Sequence, residues 1–161
     1  MKTKAQQTIA VFSDTHGNTG KMRIAIRETR PDLIVHLGDF DRDAKDLRKN
    51  FPHIPLCVVC GNCDYGSQEA EEGGLTVGNT RIFITHGHNY RVRDGVDSLV
   101  QAADAQDCKI ILYGHTHIPE YREIQGVTII NPGSVGIGPD YTWALLSIED
   151  TGLYSIEIRH M

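Results

Sequence analysis

Side chains that bind divalent metals recur along this chain in five short clusters, and each cluster follows an apolar run. The clusters read "SDTHGN", "GDFD", "GNCD", "THGH" and "YGHTH". Carboxylate, imidazole and amide oxygen donors in one set suit borderline divalent metals such as manganese, iron, zinc, cobalt and nickel. The candidate ligands are Asp14, His16, Asp39, Asn62, His86, His115 and His117.

The size of this set indicates the kind of site. Seven ligands exceed what one ion with an open position for substrate needs. They fit two ions about 3.5–4 Å apart that share a carboxylate, an arrangement that clamps the attacking and leaving oxygens in phosphate ester hydrolysis. The sequence therefore predicts a two-metal site that acts on a phosphate ester.

Two of the clusters hold ligand pairs that are two residues apart. In an extended segment, residues i and i+2 point to the same side. We therefore expect Asp14 with His16, and His115 with His117, to direct both side chains at one ion or at two neighbouring ions. A single pair of metal-binding residue types at this spacing is common by chance. The prediction of a metal site therefore depends on the whole ordered set of five clusters.

Alternating strands and helices are predicted to bring the first clusters together. Strands are expected at 8–14, 32–39 and 54–62, and helices at 18–32 and 43–51, with Asn18 or Thr19 as a cap and Pro31 and Pro52 as stops. This alternation is typical of a parallel sheet with crossover helices. Active sites of such sheets lie at the carboxyl ends of the strands, where the polar clusters stand.

The pattern changes after residue 62. Two strands flank a Gly-Asn turn at 78 and 79, a helix is expected at 93–107, and a further strand leads to His115. Four strand-like segments with short turns follow, so the carboxyl third is predicted to be mostly antiparallel sheet. With no linker or repeat, residues 1–161 are expected to form a single domain of the α/β (α+β) class.

The composition limits the classes of partner. The chain has 161 residues, of which 40% are hydrophobic and 23% charged, as in ordinary soluble globular proteins. Its net charge of −5 argues against nucleic acid as anything but a substrate. Because neither a targeting segment nor a membrane-spanning run is visible, we expect a cytoplasmic protein without a membrane partner. A homo-oligomer is left open.

Three cysteines raise an alternative. Cys57, Cys60 and Cys63 have the spacing C-x2-C-x2-C, which could indicate an iron–sulfur or zinc thiolate site in a redox or cluster protein. A bacterial cluster sequence has a fourth cysteine three residues further on, followed by proline, whereas Ser67 stands there. Cys57 and Cys60 lie in an apolar run and are expected to be small buried hydrophobic residues.

The motifs D-x-H, G-D, G-N-x-D, H-G-H and G-H-T-H, in that order, resemble those of the calcineurin-like metallophosphoesterase superfamily. The forms "GNCD", "THGH" and "INPGS" resemble its small prokaryotic, YfcE-type phosphodiesterase branch. The resemblance covers residues 9 to about 138. It implies a four-layer αββα sandwich of two mixed β-sheets flanked by helices. It also implies two divalent metal ions, with Mn²⁺ expected and Ni²⁺, Zn²⁺, Fe²⁺ or Co²⁺ as alternatives.

The resemblance further implies a role for each motif residue. One ion would be held by Asp14, His16, Asp39 and His117, and the other by Asp39, Asn62, His86 and His115, with Asp39 as the bridge. Water or hydroxide between the ions would attack the ester. The residues expected to take part in catalysis are Asp39, Asn62, His88 and Cys63. Of these, His88 fits no ligand position and is expected to contact a ligand residue or the substrate.

Two departures from the family pattern bear on the reaction. Many members have histidine at the position of Cys63, and this histidine is thought to assist the leaving group or the phosphate. A thiol is a weak donor, and general acid catalysis is worth roughly 10²–10⁴-fold. We therefore expect slow hydrolysis that favours diesters with good leaving groups, while Asp64 braces the loop. The segment "GDFDRDA" departs from the G-D-x-V-D-R-G of larger phosphatases, so Asp41 and Arg42 receive no role.

A non-catalytic protein is the main alternative. A eukaryotic retromer subunit resembles this fold and works as a protein-binding scaffold, but it lacks part of the ligand set. Every ligand motif is present in this chain, which favours an enzyme.

Overall fold

The structure, a computed structural model, describes residues 6–161. Within that range, the elements are β1 (Gln6–Phe12), α1 (Thr19–Thr29), β2 (Leu33–His36), α2 (Asp43–Asn50), β3 (Leu56–Val58), β4 (Glu72–Val77), β5 (Thr80–Thr85), a 3-10 helix (His88–Tyr90), α3 (Asp97–Ala105), β6 (Ile110–Leu112), β7 (Glu120–Ile124), β8 (Val127–Asn131), β9 (Thr142–Glu149) and β10 (Tyr154–His160). Every predicted helix and strand is present, and the 3-10 helix was not predicted. In the described residues, no helix combines the length and the apolar character that crossing a bilayer requires.

The strands form two sheets of five. The first has the order β10-β9-β1-β2-β3 and the second the order β4-β5-β6-β8-β7. Strands β1, β2 and β3 are parallel, as the alternating pattern predicts. Strands β9 and β10 return antiparallel to the far side of β1.

The carboxyl third is mostly antiparallel, as predicted, and one of its pairs is parallel. Strand β8 is antiparallel to β7 but parallel to β6, with Ile110 opposite Thr128. Burial explains this order, because all five residues of β8 are buried whereas β7 is largely exposed. The buried strand therefore takes the interior position and the polar strand β7 becomes the edge.

The two sheets pack face to face, with helices outside. Along β1, Ile9 and Val11 face the core between the sheets, while Ala10 and Phe12 face the helices α1 and α2. Helix α3 covers the outer face of the second sheet. Because the second half of β1 is covered on both faces, residues 9–12 are an unbroken apolar run. These four layers confirm the predicted αββα sandwich.

Helix α1 ends as predicted but begins differently. Asn18 occupies the position before its first turn without capping it, because the side-chain amide donates to the carbonyl of Val135 at 3.1 Å. At the other end, Arg30 takes a left-handed conformation and Pro31 follows. The predicted cap by Asn18 is therefore wrong, and its side chain ties α1 to a loop far along the chain.

Candidate metal centre

The predicted ligand residues follow the carboxyl ends of five strands. Asp14 lies just beyond β1, Asp39 beyond β2, and Asn62 beyond β3, while His86 directly follows β5 and His115 follows β6. Strands β1, β2 and β3 are parallel to one another, as are β5 and β6. The loops of both sheets therefore meet at one edge of the sandwich.

Four of these side chains converge tightly. One ligand atom from each of Asp14, His16, Asp39 and His117 lies within 4.8 Å of all the others. The closest measured contact joins His117 Nε2 to Asp14 Oδ1 at 3.0 Å. Asp14 is fully buried and Asp39 is 3% exposed. This is the group that the family resemblance implies for the first ion.

A second group adjoins the first through Asp39. His86 Nε2 lies 3.4 Å from Asp39 Oδ1 and 3.3 Å from His115 Nδ1. His86 Nδ1 lies 2.8 Å from the carbonyl oxygen of Leu37. A carbonyl can only accept, so Nδ1 carries a proton and Nε2 is the His86 nitrogen that faces the ligand groups. Asp39 thus stands between the two groups.

The protonation states favour cation binding. Burial raises the pKa of Asp39, but the hydrogen bond and charge of His86 and the backbone N–H of Cys63 outweigh it and hold that pKa well below its ordinary range. Burial, with the nearby charges of His86 and Arg93, lowers the pKa of His115 to about 4. At neutral pH the site therefore offers an ionised bridging carboxylate and an unprotonated imidazole.

The donor set fits divalent metal ions. The buried His16 Nε2 has no hydrogen-bond partner within residues 6–161, although buried polar atoms are usually paired. Two buried carboxylates lie together here, which is costly without a cation. Metal–nitrogen bonds are about 2.0–2.1 Å long, so two ligands of one ion lie about 3 Å apart. The 3.0 Å and 3.3 Å contacts of His117 and His115 match that separation.

Three predicted catalytic residues lie at the margin of these groups. Asn62 is exposed, and its amide nitrogen contacts Cys63 Sγ at 3.6 Å. Cys63 is exposed and donates its backbone N–H to Asp39 Oδ1 at 3.0 Å. The ring of His88 lies 5.5 Å from that of His86, and its buried Nδ1 has no partner within the described residues. The structure brings all three next to the site without joining them to the tight group of four.

The thiolate interpretation finds no support. The four cysteines are unpaired thiols, and in residues 6–161 the group of side chains within mutual metal-binding reach contains none of them. Burial raises the pKa values of Cys57 and Cys60, which keeps both thiols neutral. Cys60 is buried as the sequence predicts, whereas Cys57 is half-buried against the core between the sheets.

The ligand residues do not have the extended backbone that was assumed for the pairs two residues apart. Five ligand residues have left-handed rather than extended conformations: Asp14 (φ 54°), His16 (φ 46°), Asp39 (φ 55°), His115 (φ 72°) and His117 (φ 62°). The paired side chains still reach one centre, but through tight turns. A left-handed residue costs about 1–2 kcal/mol, and such strain concentrates at functional sites.

Asp64 holds one of these strained loops. Its carboxylate accepts the backbone N–H groups of Asp39, Phe40, Asp41 and Gly61 at 2.7–3.0 Å. Four donors on one carboxylate join the loop after β2 to the loop after β3. The predicted bracing role of Asp64 is confirmed.

Other loop-holding residues were missed by sequence reasoning. Ser134 donates its hydroxyl to the backbone oxygen of Asp14 at 2.7 Å, and Ser13 donates to the carboxylate of Asp14 at 2.6 Å. Asn131 donates its amide to the carbonyl of Gly114 at 3.0 Å, beside His115. The motif "INPGS", which supplies Asn131 and Ser134, was the available signal.

Comparisons with known proteins now identify the family. A model of the calcineurin-like phosphoesterase superfamily domain matches residues 8–151. The chain belongs to this superfamily. A probable metallophosphoesterase of Bacillus subtilis, YsnB, is 31% identical over 148 residues, which are 88% of this chain and 85% of that protein.

One further relative and one solved structure are also similar to this chain. The phosphodiesterase MJ0936 of Methanocaldococcus jannaschii is 26% identical over 147 residues, which cover 78% of this chain and 82% of that protein. The solved structure of vacuolar protein sorting 29 from Cryptosporidium parvum superposes with a TM-score of 0.79 at 16% identity and covers 98% of this chain and 99% of that one. The second likeness shows the fold alone.

In this superfamily member, a buried hydrogen-bond relay links two ligand loops. Thr15 donates its hydroxyl to Asp43 at 2.6 Å, and Gly17 donates its backbone N–H to the same oxygen at 2.7 Å. Thr15 therefore accepts from His36 Nε2 at 3.0 Å, and His36 Nδ1 accepts the N–H of Gly38 at 3.2 Å. The donor and the acceptor of each hydrogen bond in the relay are therefore defined. His36 donates from Nε2 and accepts at Nδ1, which only the neutral imidazole can do.

Acidification should disrupt this relay. Burial outweighs nearby carboxylates and lowers the pKa of His36 from 6.5 to about 4. The pKa of His36 is lower in the folded protein than in the unfolded chain. Between about pH 6.5 and pH 4 the unfolded chain therefore binds a proton that the folded protein does not. The free energy of unfolding consequently falls as the pH falls through this range. In urea unfolding of metal-stripped protein, the wild type should lose about 2 kcal/mol more than His36→Gln between pH 7 and pH 5.

The matched control for this measurement is His53→Gln, which changes an exposed histidine. Its pH-dependent loss should equal that of the wild type. An equal loss in wild type and His36→Gln would contradict the neutral relay.

Proposed function

We propose that residues 1–161 form one domain that acts as a binuclear metal-dependent phosphoesterase and hydrolyses phosphodiesters in preference to monoesters. The observation that supports it most is the convergence of Asp14, His16, Asp39 and His117 within 4.8 Å, with the pair His86 and His115 adjoining through Asp39. Membership of the phosphoesterase superfamily gives the reaction class.

The roles proposed for the chain follow from this geometry. Asp14, His16, Asp39 and His117 hold one ion; Asp39, His86, His115 and Asn62 hold the other. When bound, the two ions supply an activated water as nucleophile and offset charge on the phosphoryl oxygens. The Leu37 carbonyl keeps His86 Nε2 turned to the site, and Asp64 keeps Asp39 between the two groups. His88, with its unpartnered Nδ1, is placed to contact a phosphoryl oxygen or His86.

The diester preference rests on Cys63. This thiol is exposed at the margin of the site, next to Asp39, and it is a poor proton donor. A diester with a stable leaving group needs little acid assistance, whereas a monoester with a poor one needs more. The relative MJ0936, which bears the name phosphodiesterase, is consistent with this preference.

Metal removal and replacement test the function. Protein stripped with a chelator should hydrolyse neither an aryl phosphodiester nor the matching monoester. Adding Mn²⁺ should restore diester turnover, with two ions bound per chain and the diester favoured at least about tenfold. Turnover of both esters at equal rates would contradict the proposed diester preference but not the proposed phosphoesterase activity.

Two outcomes would contradict the proposed phosphoesterase activity. Binding of two ions without turnover of either ester would favour the scaffold alternative, for which the likeness to vacuolar protein sorting 29 provides the fold. Absence of metal binding, measured by calorimetry with Mn²⁺, Zn²⁺ and Ni²⁺, would remove the proposed site itself.

A further inference from the structure

An open pocket adjoins the metal centre on the side of α2. Its volume is about 440 Å³, and it runs from Cys63 along the face of α2. Phe40 forms the wall that is shared with the centre, because its ring lies 4.6 Å from the ring of His16. Tyr65, which is 94% exposed, also lines the pocket. A substrate held at the metal ligands could therefore extend into this pocket.

The pocket has three cations along one wall. Arg42, Lys45 and Arg48 all line it. They are three residues apart, and residues at this spacing share one face of a helix. Arg42 is fixed by its guanidinium carbon, which lies 4.3 Å above the centre of the Phe40 ring. The segment "DRDAKDLR" therefore places three cations along one wall of a pocket whose lining also contains the carboxylates of Asp41, Asp64 and Glu69.

The acidic residues of the pocket are already engaged. The Asp64 carboxylate accepts four backbone N–H groups, and Asp41 accepts the hydroxyl of Ser67. Glu69 pairs with Arg48 at 3.1 Å. By contrast, within residues 6–161 no hydrogen bond or ion pair uses the side-chain nitrogens of Arg42 or Lys45. These two cations retain their full donor capacity.

We propose that this pocket is a specificity subsite for a second phosphate on the substrate, bound by Arg42 and Lys45. Guanidinium and ammonium groups are the side chains that bind phosphate oxygens by charge-assisted hydrogen bonds. The subsite directs the enzyme to phosphodiesters in which one esterified alcohol carries a further phosphate group. This inference rests on the proposed function, since it names the substrate class of the same site.

Binding to metal-free protein tests the subsite without turnover. Inorganic pyrophosphate is titrated into metal-stripped protein at low ionic strength and followed by calorimetry. Arg42→Gln/Lys45→Gln should raise the Kd about tenfold, because each charged hydrogen bond to phosphate contributes measurably even at a solvent-exposed site. Lys109→Gln is the matched control, since Lys109 is an exposed cation at the amino end of β6, away from the ligand loops.

A second arm measures specificity with Mn²⁺-loaded protein. The two substrates are thymidine 5′-(p-nitrophenyl phosphate) and its 3′-phosphorylated form, which share the scissile bond and leaving group. In the wild type, kcat/KM should be about tenfold higher for the phosphorylated form. In the double variant that ratio should fall toward one, and in Lys109→Gln it should equal the wild-type value.

The two arms separate failure of the subsite from failure of the function. Pyrophosphate binding that is absent in the wild type, or unchanged in the double variant, would overturn the subsite. A substrate ratio that the double variant leaves unchanged would overturn it as well. If neither diester reacts although the double variant weakens pyrophosphate binding as expected, the proposed function fails and the anion subsite stands.

Discussion

Replacing Asp39 with asparagine should lower metal-dependent diester hydrolysis by at least about 10³-fold. Asp39 belongs to the group of four, and its carboxylate lies 3.4 Å from His86 Nε2, closer than the 3.9 Å of Asp14. The substitution keeps the shape of the side chain and an oxygen that can accept the N–H of Cys63, now at 3.0 Å. It removes the negative charge that two cations would share, and charge stabilisation by metal ions is worth several kcal/mol.

A thermal readout separates this loss from unfolding. Because its neighbours hold the pKa of Asp39 below its ordinary range, the charge stabilises the metal-free fold, and Asp39→Asn should lower the Tm of the metal-free protein. In the wild type, Mn²⁺ should raise Tm, since a ligand that binds only the folded state stabilises it. In Asp39→Asn that rise should largely disappear.

The control variant is Asp107→Asn, which alters a carboxylate that is 79% exposed and lies before β6, away from the ligand loops. It should retain both turnover and the Mn²⁺-dependent rise in Tm. Asp39→Asn turnover within tenfold of the wild type would contradict a bridging role for Asp39.

Replacing Cys63 with histidine should raise aryl monoester hydrolysis by about 10²-fold, as expected when a general acid is supplied. Cys63 is exposed beside the pocket of about 440 Å³, so an imidazole has room there. Its backbone N–H holds Asp39 in place and is retained in the variant. The rate of hydrolysis of the diester with a good leaving group should change by less than tenfold. The ratio of the diester rate to the monoester rate should therefore be smaller in this variant than in the wild type.

The pH profile provides the decisive measurement for this variant. A histidine that donates a proton should introduce a descending limb in kcat/KM for the monoester near its pKa, whereas the wild type should lack that limb. Cys63→Ala is the matched control and should behave as the wild type, because the thiol is proposed to contribute little. A Cys63→His monoester rate equal to that of Cys63→Ala would exclude an acid role at this position.

The sequence by itself determined the elements and the ligand types. The apolar run at residues 9–12 of β1 and the apolar face of α3 are local patterns, and each arises from residues close together in the chain. The polar clusters follow the strands directly, so the parallel topology of β1, β2 and β3 was sufficient to predict that Asp14 and Asp39 meet at one edge.

Only the tertiary structure decided how the ligands are held and what adjoins them. Ser134 binds the backbone of Asp14 from 120 positions away, and no local pattern carries such a contact. The left-handed turns at Asp14 and His115 depend on those distant partners, since an isolated chain would relax to an extended backbone. The cationic pocket likewise exists because the loop after β3 folds against α2. Ser67 of that loop donates to Asp41, and Arg42 and Lys45 line the space between the loop and the helix.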